Sequence, residues 1–189
     1  MFNLIIFGPP GAGKGTQAQK LAQQFNLYHF SSGEILRQEI KNNKLDKKIN
    51  SYLNAGKLVP DKLIITLMRE KIENQLGKVN FIFDGYPRTL KQAKMLDKIF
   101  NEKKIKPALV ISLELEEEIA LQRILARSKD SNRSDDVLKV IKKRLKIYKK
   151  TTAPLLKYYA QKNRLIKING RPDINQVNEE ILTKIKKRR

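Results

Sequence analysis

A glycine-rich loop between an apolar segment and an amphipathic one constrains this chain more than any other feature. The loop occupies residues 8–16 (GPPGAGKGT) and follows the continuous apolar run Leu4–Phe7, which is typical of a strand buried on both faces of a parallel sheet. Behind the loop, apolar residues recur on one helix face, namely Ala18, Leu21, Ala22 and Phe25. This order predicts that backbone N–H groups of the loop cradle a phosphate chain and that Lys14 reaches its terminal phosphates.

Strand and helix patterns alternate along the rest of the chain. Short apolar runs predict strands at residues 27–30, 79–83, 108–113 and 164–168. Helical periodicity predicts helices at 61–76, 116–127 and 137–160. Two more helices are predicted from their starts, one at Ser31-Ser32 and one capped by Thr89. The apolar residues of a last helix are Ile174, Val177, Ile181 and Ile185. The alternation predicts an α/β domain with a five-stranded parallel sheet and helices on both faces. Ligands in such folds bind beyond the carboxyl ends of the strands.

Residue usage excludes several kinds of site. The sequence has no cysteine and a single histidine, His29, so disulfides and thiolate metal sites are excluded and a zinc site would depend on carboxylates. No apolar run approaches the roughly 20 residues that span a bilayer. The N-terminal apolar stretch lacks the basic residues and the cleavage site of a signal peptide. We therefore expect a cytoplasmic protein with neither zinc nor a membrane partner.

The charge balance is strongly basic. Lys and Arg number 40 against 19 Asp and Glu, a formal net charge of +21. Most of the excess is lysine on predicted helices, which we interpret as solvated helix faces. An RNA partner is the alternative, with the phosphate site at the glycine-rich loop then secondary. The sequence shows no aromatic platform of the kind that binds single-stranded RNA. We expect no specific nucleic-acid partner, and a monomer, because the sequence shows no exposed apolar patch.

Two further segments carry residues suited to a second phosphate group. Ser32 and Gly33 open a predicted helix, and Arg37 follows one turn later, where its guanidinium can hold a phosphate bidentately. The motif at residues 84–89 (DGYPRT), followed by Gln92, begins where a buried strand ends. Each segment alone is weak support for a site. That the two segments form an acceptor site beside a donor site at the glycine-rich loop is what the family resemblance given below implies.

A third group of residues carries positive charge. Arg123 and Arg127 lie four positions apart on a predicted helix and so share a face. Arg133, the acidic pair Asp135 and Asp136, and Arg144 follow. Phosphoryl transfer builds charge on the moving oxygens, and cationic groups around them stabilise it.

These motifs resemble those of the nucleoside monophosphate kinases. The loop has the form GxPGxGKGTQ, and the spacing R-x₃-R…R-x-D-D-x₇-R resembles the lid of adenylate kinases residue by residue. The resemblance runs from Ile5 to Ile185 and implies a P-loop NTPase-type fold in a single domain. Its core would comprise residues 1–31, 62–127 and 136–189, with an acceptor-binding segment at 32–61 and a short lid at 128–135. The implied reaction is the reversible, Mg²⁺-dependent conversion of ATP and AMP to two ADP.

The resemblance also implies roles for individual residues. ATP would contact Gly11, Ala12, Gly13, Lys14, Gly15, Thr16, Arg123, Arg127 and the backbone of Arg171. AMP would contact Ser32, Arg37, Lys57, Val59, Gly85, Arg88, Gln92, Arg133 and Arg144. The catalytic group would be Lys14, Asp84, Arg88, Arg127, Arg133 and Arg144. Asp135 and Asp136 would hold the lid arginines by ion pairs.

Two departures refine these expectations. Many phosphate loops place Ser or Thr directly after the lysine, as a Mg²⁺ ligand, but here Gly15 precedes Thr16. We therefore expect phosphates and water to hold Mg²⁺, with Asp84 acting through water. The lid is short and lacks the zinc-binding cysteines of some long-lid members. The residue types at Ser32, Thr89 and Gln92 resemble those of adenylate kinases, which implies AMP as the acceptor. A UMP/CMP kinase remains the alternative.

Overall fold

The computed structural model describes residues 2–42, 45–46, 48–75, 77, 79–106, 108–128 and 137–188. The strands of this part are β1 Leu4–Phe7, β2 Leu27–Ser31, β3 Asn80–Asp84, β4 Leu109–Glu114 and β5 Leu165–Asn169. Its α-helices are α1 Lys14–Phe25, α2 Ser32–Lys41, α3 Lys48–Asn54, α4 Asp61–Glu73, α5 Leu90–Glu102, α6 Glu117–Ser128, α7 Leu138–Ile147, α8 Pro154–Gln161 and α9 Ile174–Lys186. None of the helices described is long and apolar enough to cross a membrane.

The five strands form one parallel sheet in the order β2-β3-β1-β4-β5. The central strand β1 pairs with β3 on one side, where Ile6 lies opposite Asp84, and with β4 on the other, where Phe7 lies opposite Ser112. Because the chain crosses to opposite sides of β1, a crevice opens at its carboxyl end. The predicted α/β fold with a five-stranded parallel sheet is confirmed.

Apolar side chains cover both faces of the sheet. Ile5 and Phe7 belong to the buried cluster on one face, and Leu4 and Ile6 to the cluster on the other. Strands buried on both sides need apolar residues at every position. The continuous run Leu4–Phe7 therefore places the glycine-rich loop at the end of a rigid central strand.

The prediction of one helix over residues 137–160 is wrong. Helix α7 ends at Ile147, a π-helical turn follows at Tyr148–Thr152, and α8 begins with Pro154 at its first turn. The N–H of Ala153 donates to the carbonyl of Tyr148, 2.9 Å away, which is the i to i−5 bond of a π turn. Proline has no N–H to donate inside a helix but is well suited to a first turn.

Smaller differences occur at helix ends. Ile174 begins α9 but is 52% exposed, so of the four predicted apolar residues Val177, Ile181 and Ile185 are buried and Ile174 is not. The helix predicted to reach residue 76 ends at Glu73. Within the expected acceptor segment, 32–61, the described residues form α2 and α3. Of the expected lid at 128–135, only Ser128 is described, as the last residue of α6.

Candidate active site

The glycine-rich loop joins β1 directly to α1. Gly11 and Gly13 have φ values of +85° and +80°, which residues other than glycine rarely adopt. A Cβ atom on Gly11 would lie 2.4 Å from the carbonyl oxygen of Ala120, so this glycine is required by space as well. Helix α1 begins at Lys14, and the N–H groups of its first turn have no intrahelical acceptor. They form a positive helix terminus suited to a phosphate.

Lys14 lies at the centre of a charged group. Its Nζ donates to the backbone oxygen of Pro9, 2.9 Å away. Burial lowers the pKa of Lys14 to about 8, opposed by the Asp84 carboxylate and assisted by Arg88, Arg144 and Arg127. The structure therefore brings together a lysine, an aspartate and three arginines that the sequence places on four separate segments, since Asp84 and Arg88 share one.

Asp84 ends β3 and has His29 of β2 as a neighbour. The Nε2 atom of His29 lies 3.8 Å from Oδ2 of Asp84. Burial raises the pKa of Asp84, but His29, Lys14 and Arg88 outweigh it, so the pKa lies below its ordinary value and the carboxylate is ionised. Sequence reasoning missed the position of His29, although its place two residues before the end of a strand was a usable signal.

The turn at residues 84–89 holds two predicted acceptor residues against one carbonyl. Ser32 donates its Oγ–H to the backbone oxygen of Gly85 at 2.8 Å, and Nε of Arg88 donates to the same oxygen at 2.7 Å. Gly85 has φ +74°, and a Cβ there would lie 2.8 Å from both side chains. The guanidinium of Arg37 folds over Gly33, with its nitrogens 3.5 Å from where a Cβ would be.

Gln92 is buried behind this turn, with 2% of its surface exposed. Its Oε1 accepts from the backbone N–H of Arg88 at 2.7 Å, and its Nε2 donates to Oδ1 of Asp61 at 2.6 Å. Thr89 caps α5 as predicted and donates its hydroxyl to both oxygens of Asp61, at 3.0 and 3.1 Å. Sequence reasoning missed Asp61, since an acid in the first turn of a helix is common for electrostatic reasons alone.

Arg123 is held by the turn after β5. Its two terminal nitrogens donate to the carbonyl oxygens of Gly170 at 2.8 Å and Arg171 at 2.7 Å. The backbone of Arg171 is one of the groups for which the resemblance implies a contact with ATP. A carbonyl oxygen has two lone pairs, so it can accept a second hydrogen bond beside that of Arg123.

The turn at Gly56 contacts α7 and bounds the space between these groups. A Cβ on Gly56 would lie 2.8 Å from Cγ1 of Val140 and 2.9 Å from Cγ of Arg144, so this turn packs closely on α7. The result is a cleft of about 510 Å³. It is lined by the predicted residues Gly11, Gly13, Lys14, Gly15, Thr16, Gly33, Arg37, Lys57, Asp84, Gly85, Arg88, Arg123, Arg127 and Arg144.

The sequence profile of the family described as adenylate kinase matches residues 6–164. The chain belongs to the adenylate kinase family. An adenylate kinase of Azobacteroides pseudotrichonymphae genomovar. CFP2 is 41% identical over 189 residues, which cover 98% of this chain and 97% of that protein. An adenylate kinase of Parabacteroides distasonis is 41% identical over 187 residues, covering 98% and 96%. One from a Cyanothece species is 41% identical over 182 residues, covering 96% and 93%.

Membership of the adenylate kinase family confirms the resemblance, while the roles of individual residues remain predictions. Some predicted residues do not line the cleft, namely Ala12, Ser32, Val59, Gln92 and Arg171. Ser32 and Gln92 instead hold the turn at residues 84–89 from behind through the hydrogen bonds given above. Arg133, Asp135 and Asp136 lie outside the described residues.

Among the residues that the structure describes, no three His, Cys, Asp or Glu side chains group in a way that could hold a metal ion. Asp84 nevertheless lines the cleft as an ionised carboxylate, with Oδ2 3.5 Å from where a Cβ on Gly15 would be. Hard oxygen donors of this kind suit Mg²⁺, which usually retains several waters and is held by one or two carboxylates and substrate phosphates.

Proposed function

We propose that this chain catalyses the reversible transfer of a phosphoryl group from ATP to AMP, giving two ADP. One observation carries the proposal: a single cleft is lined both by the glycine-rich loop with Lys14 and, separately, by Arg37 of α2 and Arg88 of the turn at residues 84–89. A nucleotide hydrolase needs only the first of these. Two cationic phosphate sites facing one space suit a donor and an acceptor nucleotide. The family and the names of the related proteins support the same reaction.

The donor site is assigned to the loop and its helix. The N–H groups at the start of α1 and the side chain of Lys14 would bind the ATP phosphates. Arg123 would contact the adenine ring, and the backbone oxygen of Arg171 would accept from its amino group. Gly11, Ala12, Gly13, Gly15 and Thr16 supply the remaining contacts in this proposal.

The acceptor site is assigned to the turn after β3 and to residues 32–61. Arg37 and Arg88 would bind the AMP phosphate, with Gly85 and Ser32 shaping the turn. The backbone of Lys57 and Val59 would line the base, and Gln92 would hydrogen-bond it. Residues 32–61 and the lid at 128–135 would close over the two nucleotides and exclude water.

The chemistry needs no side chain as a base. An oxygen of the AMP phosphate, already anionic, attacks the γ-phosphorus of ATP while the bond from that phosphorus to the bridging β–γ oxygen breaks. Catalysis then consists of alignment and of cationic groups placed around the moving charge. Lys14, Arg88, Arg127 and Arg144 surround the cleft, and Arg133, positioned with Arg144 by Asp135 and Asp136, would add to them.

Mg²⁺ is proposed to accompany ATP. Phosphate oxygens and water would hold the ion, with Asp84 accepting from its bound water and Thr16 nearby. The ion would neutralise charge on the β- and γ-phosphates. No resident zinc is proposed.

We also propose that the enzyme is a cytoplasmic monomer. Every described group of the cleft comes from one chain, so the proposed site needs no second copy. Light scattering of the purified protein would give its mass in solution. The mass of a dimer would contradict the proposed monomeric state and leave the proposed reaction unaffected.

A coupled assay tests the reaction. Purified protein receives MgATP with AMP, UMP, CMP or GMP in turn, and ADP formation is followed, with the variant Lys14→Met as a background control. Rapid ADP formation with AMP alone is expected, and removal of Mg²⁺ by EDTA should abolish it. Preference for UMP or CMP would contradict the acceptor assignment and leave the mechanism intact. No transfer to any acceptor would contradict the proposal as a whole.

A further inference from the structure

Asp61 connects two parts of the proposed acceptor site. It lies two residues after Val59, at the start of α4, and its carboxylate accepts hydrogen bonds from Thr89 and from Gln92. Gln92 in turn accepts from the backbone N–H of Arg88. The base-lining turn and the phosphate-binding turn are therefore joined through one carboxylate.

This network fixes the orientation of the Gln92 side-chain amide. An ionised carboxylate only accepts hydrogen bonds and a backbone N–H only donates them. Reversing the amide would place Oε1 against Asp61 and the NH₂ group against the N–H of Arg88, losing both bonds. Because Gln92 is 2% exposed, these two partners rather than solvent decide its orientation. The amide has one further N–H and one further lone pair. Gln92 lies behind the turn and outside the lining of the cleft, so a base would reach these two groups in the closed form of the proposed acceptor site.

A fixed amide distinguishes purines by their substituent at position 6. Adenine presents an amino donor at C6 beside an acceptor at N1, whereas hypoxanthine presents an acceptor at C6 beside a donor at N1. An amide held in one orientation matches only one of these patterns, and the mismatched pattern leaves polar groups unpaired. We propose that Asp61 is a positioning residue that orients Gln92 and so makes the acceptor site select 6-amino over 6-oxo purine monophosphates. This inference rests on the proposed AMP site.

The test compares AMP with inosine monophosphate (IMP) as acceptors for the wild type, Asp61→Asn and Asp61→Ala. Asparagine has the same shape as aspartate but can present either an oxygen or an NH₂ group to Gln92. Residue 61 then no longer fixes the orientation of the Gln92 amide. For both variants we expect the AMP-to-IMP ratio of kcat/KM to fall by roughly fivefold or more, the loss of about one hydrogen bond. The KM for AMP should rise while the KM for ATP stays within about twofold, since the donor site is untouched.

Glu118→Ala is the matched control, because Glu118 is also an acidic residue in the first turn of a helix, is exposed and lines no part of the cleft. It should keep the wild-type ratio. Thermal unfolding of each variant shows which of them are folded. If Asp61→Ala is unfolded, the isosteric Asp61→Asn decides.

An unchanged AMP-to-IMP ratio in the folded variants would overturn the inference, even if their activity fell, because a merely structural residue affects both acceptors equally. Failure of the proposed function has a different result. In that case the wild type itself would not transfer phosphate to AMP.

Discussion

The Nζ atom of Lys14 donates to the backbone oxygen of Pro9, 2.9 Å away, across the loop that ends at this lysine. The loop thus helps to position its own cation through a backbone carbonyl. Holding a lysine there has an energetic cost, because burial disfavours the charged form and lowers its pKa to about 8. That cost can be measured through the pH dependence of stability.

Alkaline pH should relieve this cost. The unfolded chain binds a proton at Lys14 up to its ordinary pKa of 10.5 and the folded chain only up to about 8. Between these values the unfolded state holds more protons, so the free energy of unfolding rises with pH. The gain is at most about 3 kcal/mol, and less where water reaches the ammonium. Urea unfolding at pH 7.5, 9 and 10 measures the free energy of unfolding of the wild type and of Lys14→Met. The stability advantage of Lys14→Met should narrow or reverse as the pH rises. A difference that does not change with pH would contradict the burial of a charged Lys14.

Replacing Arg88 with Lys should lower kcat by about 10²–10³-fold while the protein stays folded. Lysine keeps the charge but lacks the planar fork that holds a phosphate bidentately. It also cannot reproduce the bond from Nε to Gly85 in the same geometry. Arg69→Lys is the control, because Arg69 is a partly exposed residue of α4 paired with Glu73. Steady-state kinetics measures kcat, and circular dichroism shows whether the variants are folded. A near-normal kcat for Arg88→Lys would contradict a role for Arg88 in the active site.

Local patterns predicted the sheet and the loop because each of their signals lies within a few residues. A strand buried on both faces must be continuously apolar, and Leu4–Phe7 is. The capping role of Thr89 follows from its own side chain and the next turn. The resemblance to a family then placed residues of the candidate site that no local pattern connects.

Interactions between distant segments account for what the sequence did not predict. The bonds of Asp61 to Thr89 and Gln92 join positions 28 and 31 residues apart, and nothing near Asp61 indicates them. His29 meets Asp84 only because β2 and β3 are neighbours in the sheet. The break between α7 and α8 did have a local signal, since Pro154 cannot lie inside a regular helix. The apolar periodicity before it nevertheless led to the prediction of one continuous helix over 137–160.

Arg123→Ala should weaken ATP binding more than AMP binding. The variant loses both hydrogen bonds to the Gly170–Arg171 turn, together with the proposed contact to the donor base. We expect the KM for ATP to rise by about tenfold, corresponding to about 1.4 kcal/mol, with the KM for AMP changed far less. Gln122→Ala, an exposed neighbour on α6, should leave both values near the wild type. Equal rises in the two KM values for Arg123→Ala would contradict a donor-side role.

The carboxylate of Asp97 provides a test of stability remote from the cleft. It accepts hydrogen bonds from Tyr158 at 2.7 Å, Lys162 at 3.0 Å and Arg164 at 2.8 Å. Burial raises the pKa of Asp97, but these three donors outweigh it and the pKa lies below its ordinary value. The group therefore stabilises the fold above the pKa of the unfolded chain, and this contribution is lost as the pH falls through the lower pKa of the folded state.

Asp97→Asn should therefore be less stable than the wild type by about 3 kcal/mol at pH 7, because Arg164 keeps its charge in a nearly buried position without a carboxylate partner. This difference in the free energy of unfolding should shrink in acid, because protonation of Asp97 then removes the negative charge from the wild type as well. Urea unfolding at pH 7, 5 and 3 measures it, with Asp173→Asn as a control carboxylate that caps α9 on the surface. A difference that stayed constant from pH 7 to pH 3 would show that Asp97 acts through its shape and hydrogen bonds and not through its charge.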